Sequence, residues 1–346
     1  MPGVRPTGEL GSLGLMLPTA PQGKNAPTFG TTKGSTTGAQ SGGTDGSTGG
    51  PEPGTARALA QLCRDAELCG AGALWAVDHL FWPRPMLECL TTLAVAAAAT
   101  DQVPIGTCVL QLPLRDPAVL AKQATALHLL SGGRFVLGLG VGSHPGEYVA
   151  AGVGFDERGR IMDEGLAQLR RIWAADGIEP YRQLPTSPAV PVWIGGSSGA
   201  ARRRAARSAD GWVPLFLSPS EYRSALGSLA DEAEAAGRAP GDITRAVVVF
   251  ASVGGDDARD RGTAWLSSLY GIPARAFDRH LVAGPAPAVA QELDRYLRAG
   301  AQHVVVMVTD DHPLEPFAAL VQALGRDTPD PSFPAARRPD PVEVPA

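Results

Sequence analysis

The sequence predicts an α/β architecture: a closed (β/α)8 TIM barrel with a long flexible loop after its first strand. Three observations predict it. Eight short apolar runs recur along the chain, and segments of helical periodicity separate most of them. The runs are apolar almost without interruption, as parallel strands covered on both faces must be. The length, 346 residues, suits one such barrel with insertions.

The first strand is "SLGLML" (12–17). After it, residues 19–55 are rich in Gly, Ser and Thr and cannot bury enough apolar surface to fold alone. They are expected to be a flexible insertion at the barrel mouth, either a functional lid or filler. A helix over 55–69 places Leu59, Leu62, Ala66 and Cys69 on one face, and "ALWAV" (73–77) follows as the second strand. "LTTLAVAAAAT" is too short to cross a bilayer and has the composition of a buried helix. The third strand is "PIGTCVL" (104–110). In "DPAVLAKQATALHLLSGG", Asp116 is placed to cap a helix, Pro117 to begin it and Gly132 to follow its stop. "FVLGLG" (135–140) is the fourth strand. Met162, Leu166, Leu169 and Trp173 make the apolar stripe of a helix over 157–174. "VPVWI" (190–194), an Ala/Arg-rich helix and "WVPLF" (212–216) come next. A helix over 219–236, "AVVVFA" (246–251), a helix over 287–299 and "HVVVMV" (303–308) complete the set. The organisation expected is therefore 1–18 as N-terminus and first strand, 19–55 as insertion, 56–325 as the rest of the barrel, and 326–346 as a Pro-rich, extended tail.

Composition narrows the function. Hydrophobic residues make up 44% of the chain, enough for a large core, and the net charge of −5 argues against a nucleic-acid binder. No apolar run is long enough to span a membrane and no secretory signal is evident, so a cytoplasmic protein without membrane association is expected. Cys63, Cys69, Cys89 and Cys108 show neither CxxC nor zinc spacing and read as reduced thiols. No HExxH set is present, so no metal is expected, and the absence of a GxSxG elbow leaves no serine triad.

Four stretches could carry chemistry. In "LWAVDHLFWPRP", Asp78 and His79 fall where the second strand ends, on the face where barrel enzymes keep their sites. Phe81 and Trp82 then either wall a substrate pocket or simply pack the loop. In "VPVWIGGSSGAARRRAARSADGW", Gly195, Gly196, Ser197, Ser198, Gly199 and Ala200 form a strand-to-helix turn. Such a turn either receives a phosphate on free N–H groups or is a plain capped turn. Arg202, Arg203 and Arg204, one turn into the helix, read as a solvated face. In "GRFVLGLGVGSHPGEY", Gly138, Gly140 and Gly142 suit a flat ring lying against backbone and equally suit tight packing. Ser143 and His144 follow at the presumed mouth, His144 being an ordinary loop histidine or a catalytic one. Cys108, with no basic neighbour in sequence, reads as a packed, inert thiol.

These segments, in this order, resemble the luciferase-like oxidoreductases over about residues 56–325. The blocks that carry the resemblance are "LWAVDHLFWPRP", then "VPIGTCVLQLPLRDPAVLAKQATALHLLSGGRFVLGLGVG" with "FDERGRIMDE", and "PVWIGGSSGAARRRAARSADGWVP". The family uses FMN or the deazaflavin coenzyme F-420 on a TIM barrel. The resemblance implies that His79 lies close to the reactive centre of the cofactor ring and exchanges protons, and that Asp78 helps position the cofactor. It implies a non-proline cis peptide at Cys108–Val109 behind the ring, with the glycine-serine turn taking the cofactor phosphate. It also implies F-420-dependent hydride transfer to or from a small organic substrate, for which "DHL" is the motive. The alternative is a two-component monooxygenase fed with reduced FMN, and a third reading is a non-catalytic flavin-binding barrel. F-420-dependent sugar-phosphate dehydrogenases carry a glutamate just after the glycine-rich strand. Here Ser143 and His144 occupy that region, so that activity is not expected. A separate flavin or F-420 reductase is an expected partner, and a homodimer stays open.

Overall fold

The structure, a computed structural model, describes residues 13–18, 55–174, 185 and 190–325. The expected insertion 19–55, apart from Thr55 at the start of a helix, and the expected tail 326–346 lie outside the described residues.

All eight expected strands form: β1 (Leu13–Met16), β2 (Ala73–Ala76), β3 (Ile105–Thr107) with its continuation β4 (Leu110–Gln111), β5 (Phe135–Gly140), β6 (Val192–Gly195), β7 (Gly211–Val213), β8 (Thr244–Val253) and, after a short β9 (Leu281–Gly284), β10 (His303–Val308). Every pairing is parallel. The sheet closes because β10 pairs with β1 on one side and β8 on the other, so the barrel is complete. The strand expected over 104–110 is split by a cis peptide between Cys108 and Val109, which separates β3 from β4. β9, which no pattern announced, adds to the far end of β8 from Phe250 to Val253.

Helices follow the strands on the outside: α1 (Thr55–Leu68), α2 (Cys89–Ala99), α3 (Pro117–Leu130), a short α4 (Pro145–Ala150), α5 (Arg158–Trp173), α6 (Gly199–Ser208), α7 (Pro219–Ala235), α8 (Ala258–Tyr270), α9 (Ala286–Arg298) and α10 (Leu314–Ala323). Local chemistry sets their starts. The Asp116 carboxylate accepts from Ala118 N and Val119 N ahead of Pro117, and Ser218 with Glu221 forms a capping box on α7. No described helix is long and apolar enough to cross a membrane.

The continuous apolar runs conceal a two-residue alternation. In β10, Val304, Val306 and Val308 face the helices while Val305 and Met307 face the barrel axis; in β8, Val247, Val249 and Ala251 face out and Ala246, Val248 and Phe250 face in. The lower barrel is filled by three large rings, Trp75, Trp193 and His303. Trp75 Nε1 donates to His303 Nε2 at 2.9 Å, and the two indoles lie 5.0 Å apart. Glycines make room for them. A methyl group on Gly14 would stand 2.5 Å from His303 Nε2, on Gly106 2.5 Å from Trp75, and on Gly211 2.4 Å from Trp193. The bottom is therefore sealed, and any site must lie above it, at the carboxyl ends of the strands.

Candidate active site

β2 runs out of the core at Ala76, and the next turns carry His79 to the mouth, with its side chain 13% exposed. Its Nδ1 lies 3.0 Å from Oε2 of Glu147, a fully buried carboxylate on α4. Glu147 is gripped from several sides: Leu80 N and Phe81 N donate to Oε1 at 2.5 and 3.2 Å, and Gln111 Nε2 donates to Oε2 at 3.2 Å. Burial alone would raise this carboxyl. The hydrogen bond from His79 and those from the two backbone N–H groups outweigh that and hold Glu147 below the usual carboxylate range. Burial pushes His79 below its ordinary 6.5, and the contact with Glu147 pulls it only part of the way back.

The pair is thus an ionised carboxylate and a neutral imidazole. Nδ1 carries the proton and donates it to Glu147, so the Nε2 lone pair has no partner among the described residues. Sequence reasoning missed Glu147 and expected Ser143 and His144 in its place. The correction is structural: a six-residue helix begins at Pro145 and turns residue 147 inward beneath His79 while Ser143 and His144 remain exposed. The available signal was an acid in the loop beyond a strand's carboxyl end.

The Trp82 ring stacks on His79, with centroids 3.5 Å apart, and meets His144 and Tyr270 edge-on. Phe81 is 59% exposed beside it. Trp82, His144 and His79 are therefore brought together at the mouth. Asp78 is buried: Oδ1 accepts from Arg115 Nη2 at 2.6 Å and from Cys89 Sγ at 3.5 Å, and Oδ2 from Gln111 N at 3.0 Å. Gln111 in turn donates to Asp78 O and to Glu147, so Asp78 ties the end of β4 to the end of β2.

The cis peptide stands at Cys108–Val109, the pair named from the resemblance. Burial pushes the Cys108 thiol up to about 12, which makes it inert. The glycines at the end of β5 admit two readings, a flat ring or tight packing, and side chains stand close to Gly140 and Gly142, as they do to Gly195. A methyl group on Gly140 would lie 2.5 Å, and on Gly195 2.6 Å, from Val109; on Gly142 it would lie 1.9 Å from Gln111 Oε1. These close approaches favour the packing reading at Gly140 and Gly195, Gly142 in addition has φ of +68°, and Val109, which Gly140 and Gly195 face, is half-buried.

At the turn before α6, Gly196 has φ of +105° and its carbonyl accepts from Trp212 Nε1. The Ser197 hydroxyl is engaged with Leu215 on β7's exit, and Ser198 caps α6 by accepting from Ala201 N. Gly199 N and Ala200 N, the first two N–H groups of α6, have no acceptor among the described residues and point out of the helix start. This turn fits an anionic group such as the phosphate of FMN or F-420, received by backbone. The serine hydroxyls build the turn.

Comparison with known proteins bears on the family and the fold. Residues 34–312 match the family model described as luciferase-like monooxygenase. The chain is 29% identical over 266 residues to the phthiodiolone/phenolphthiodiolone dimycocerosates ketoreductase of Mycobacterium tuberculosis, a match covering 71% of this chain and 66%, just under two thirds, of that protein. Among solved structures it resembles an F-420-dependent secondary alcohol dehydrogenase in complex with an F-420–acetone adduct. That likeness has a TM-score of 0.68, 19% identity and coverage of 78% of this chain and 95% of the other. It also resembles a monooxygenase from Streptomyces bottropensis, with a TM-score of 0.63, 22% identity and coverage of 78% and 92%. At these identities the two structures speak for the fold.

Proposed function

Since the chain belongs to the luciferase-like monooxygenase family, we propose that it is a coenzyme F-420-dependent oxidoreductase moving a hydride to or from a small organic substrate, an alcohol or ketone in the simplest case. The observation that carries the reading is the Nε2 of His79, without a partner among the described residues and made a base by the Nδ1 contact with buried Glu147. A bound deazaflavin would supply the two-electron hydride chemistry. The chain's own task is the proton. His79 Nε2 takes it from a substrate hydroxyl in one direction and returns it to a carbonyl oxygen in the other, while the Glu147 carboxylate stabilises the imidazolium between.

Trp82 holds the imidazole plane by stacking and restricts water above it. Val109 would support the ring from below, and Gly199 N and Ala200 N would receive the phosphate. The ketoreductase and the alcohol dehydrogenase to which the chain is similar support carbonyl–alcohol chemistry. The family description and the Streptomyces bottropensis monooxygenase support a second reading, oxygen activation with reduced FMN delivered by a separate reductase. Anaerobic titration with F-420 and with FMN, followed by an oxygen electrode during turnover, separates them. Saturable binding of F-420 and no oxygen uptake is expected; tight FMN binding with oxygen consumption overturns the first reading.

A further inference from the structure

Alongside α6 runs a cavity of about 230 Å³, lined by Ala200, Arg203, Arg204, Arg207 and Ser208 of that helix and by Asp163 of α5. Among the described residues its charge is unbalanced: three guanidinium groups face one carboxylate. Arg204 consumes that carboxylate, with Nε 2.6 Å from Asp163 Oδ1. Arg202, outside the cavity lining, is paired with Glu232. Arg203 and Arg207 are exposed and have no ion pair among the described residues, although they stand four residues apart on one helix face, where like charges repel. The arginine run read from sequence as a solvated face is thus two different things. Two members are structural, and Arg203, with Arg207 a turn further on, lines a cationic groove.

The groove is continuous with the turn proposed to take the phosphate. Ala200 belongs to both, and a methyl group on Gly199 would lie 3.1 Å from Arg203 Nη1, so this guanidinium folds back over the first turn of α6. From Ala200 to Ser208 the groove runs about 12 Å along the helix. A cofactor ending at its phosphate would fill only the first end. One carrying further anionic groups beyond the phosphate would lay them along Arg203 and then Arg207.

We infer that the α5–α6 groove binds a carboxylate-bearing tail extending past the cofactor phosphate, which is the chemistry of the oligoglutamyl tail of F-420 and is lacking in FMN. The inference rests on the proposed F-420 reading. Arg203 supplies the contact nearest the phosphate and Arg207 the next, each a partly solvated guanidinium–carboxylate pair that weakens with salt.

The test is a fluorescence titration of the full chain with F-420 bearing no glutamate, F-420 bearing several, and FMN. At about 50 mM salt, the long-tailed form is expected to bind about tenfold more tightly than the glutamate-free form, a preference that fades by about 500 mM. Arg207→Ala should reduce the preference to a few-fold, Arg203→Ala with Arg207→Ala should remove it, and Arg207→Lys should retain most of it. Equal affinities for both forms of F-420 in the unaltered protein, or an undiminished preference in the double variant, overturn the tail site and leave the F-420 reading standing. Saturation by FMN with neither form of F-420 binding overturns both.

Discussion

Two histidines of this barrel, one at each end, make the same kind of contact to opposite effect. At the bottom, His303 is fully buried, its Nε2 accepts from Trp75, and glycine backbone closes around the rings. At the mouth, His79 has its Nδ1 fixed by Glu147 and its Nε2 left without a partner among the described residues. Both imidazoles are oriented, but only one is oriented toward something outside the protein. The difference teaches that an aromatic ring stack can be core or site, and that the unclaimed ring nitrogen distinguishes them.

The sharpest break between the two ends is substitution at each. His79→Ala should lower kcat/KM with F-420 by about 10²–10⁴-fold while the thermal midpoint stays close to that of the parent, as steady-state kinetics beside calorimetry would register. An unchanged rate would remove His79 from the chemistry. Trp75→Ala at the sealed end should do the reverse, destabilising the barrel by about 3–5 kcal/mol in denaturant unfolding through the cavity it leaves.

Glu147→Gln probes the coupling at the mouth. The contact with Glu147 raises the proton affinity of His79 against a larger lowering by burial, so its removal lowers the pKa of His79 further. In the direction where His79 accepts a proton, the acid limb of the kcat/KM profile should therefore move to lower pH. Gln keeps one hydrogen bond but not the charge that stabilises the imidazolium, so the plateau should fall by about 10–100-fold. A limb displaced to higher pH would contradict this coupling. The smallest effect belongs to Cys108→Ala. With the thiol buried and pushed up to about 12, the native protein should resist alkylation at this position at neutral pH, and the variant should turn over at close to the parental rate.

The strands were legible because parallel β-structure covered on both faces writes itself as apolar runs of four to six residues, and the helix starts because Asp116, Pro117 and Ser198 are chemically committed to them. His79 was legible from its place at a strand end. Glu147 was not, because the contact that gives it meaning spans 68 residues of chain and depends on a short helix between glycine and proline. The glycines of β5 were ambiguous for the same reason: whether the space beside Gly140 is open depends on where Val109 lies, and Val109 belongs to another strand. β9 escaped notice because its four residues are mostly half-buried and carry no strong alternation. The arginines of α6 were indistinguishable in sequence, and only their partners Glu232 and Asp163 separate them.

The central claim is that His79 presents an unprotonated Nε2 to the mouth while Nδ1–H is held by Glu147. Nitrogen-15 NMR of histidine-labelled protein at pH 7 observes this directly, with His79→Ala assigning the signal. The account predicts the neutral Nδ1–H tautomer for His79, converting to the Nε2–H form or losing its preference in Glu147→Gln. A His79 found as the Nε2–H tautomer or as imidazolium at pH 7 in the unaltered protein would contradict it.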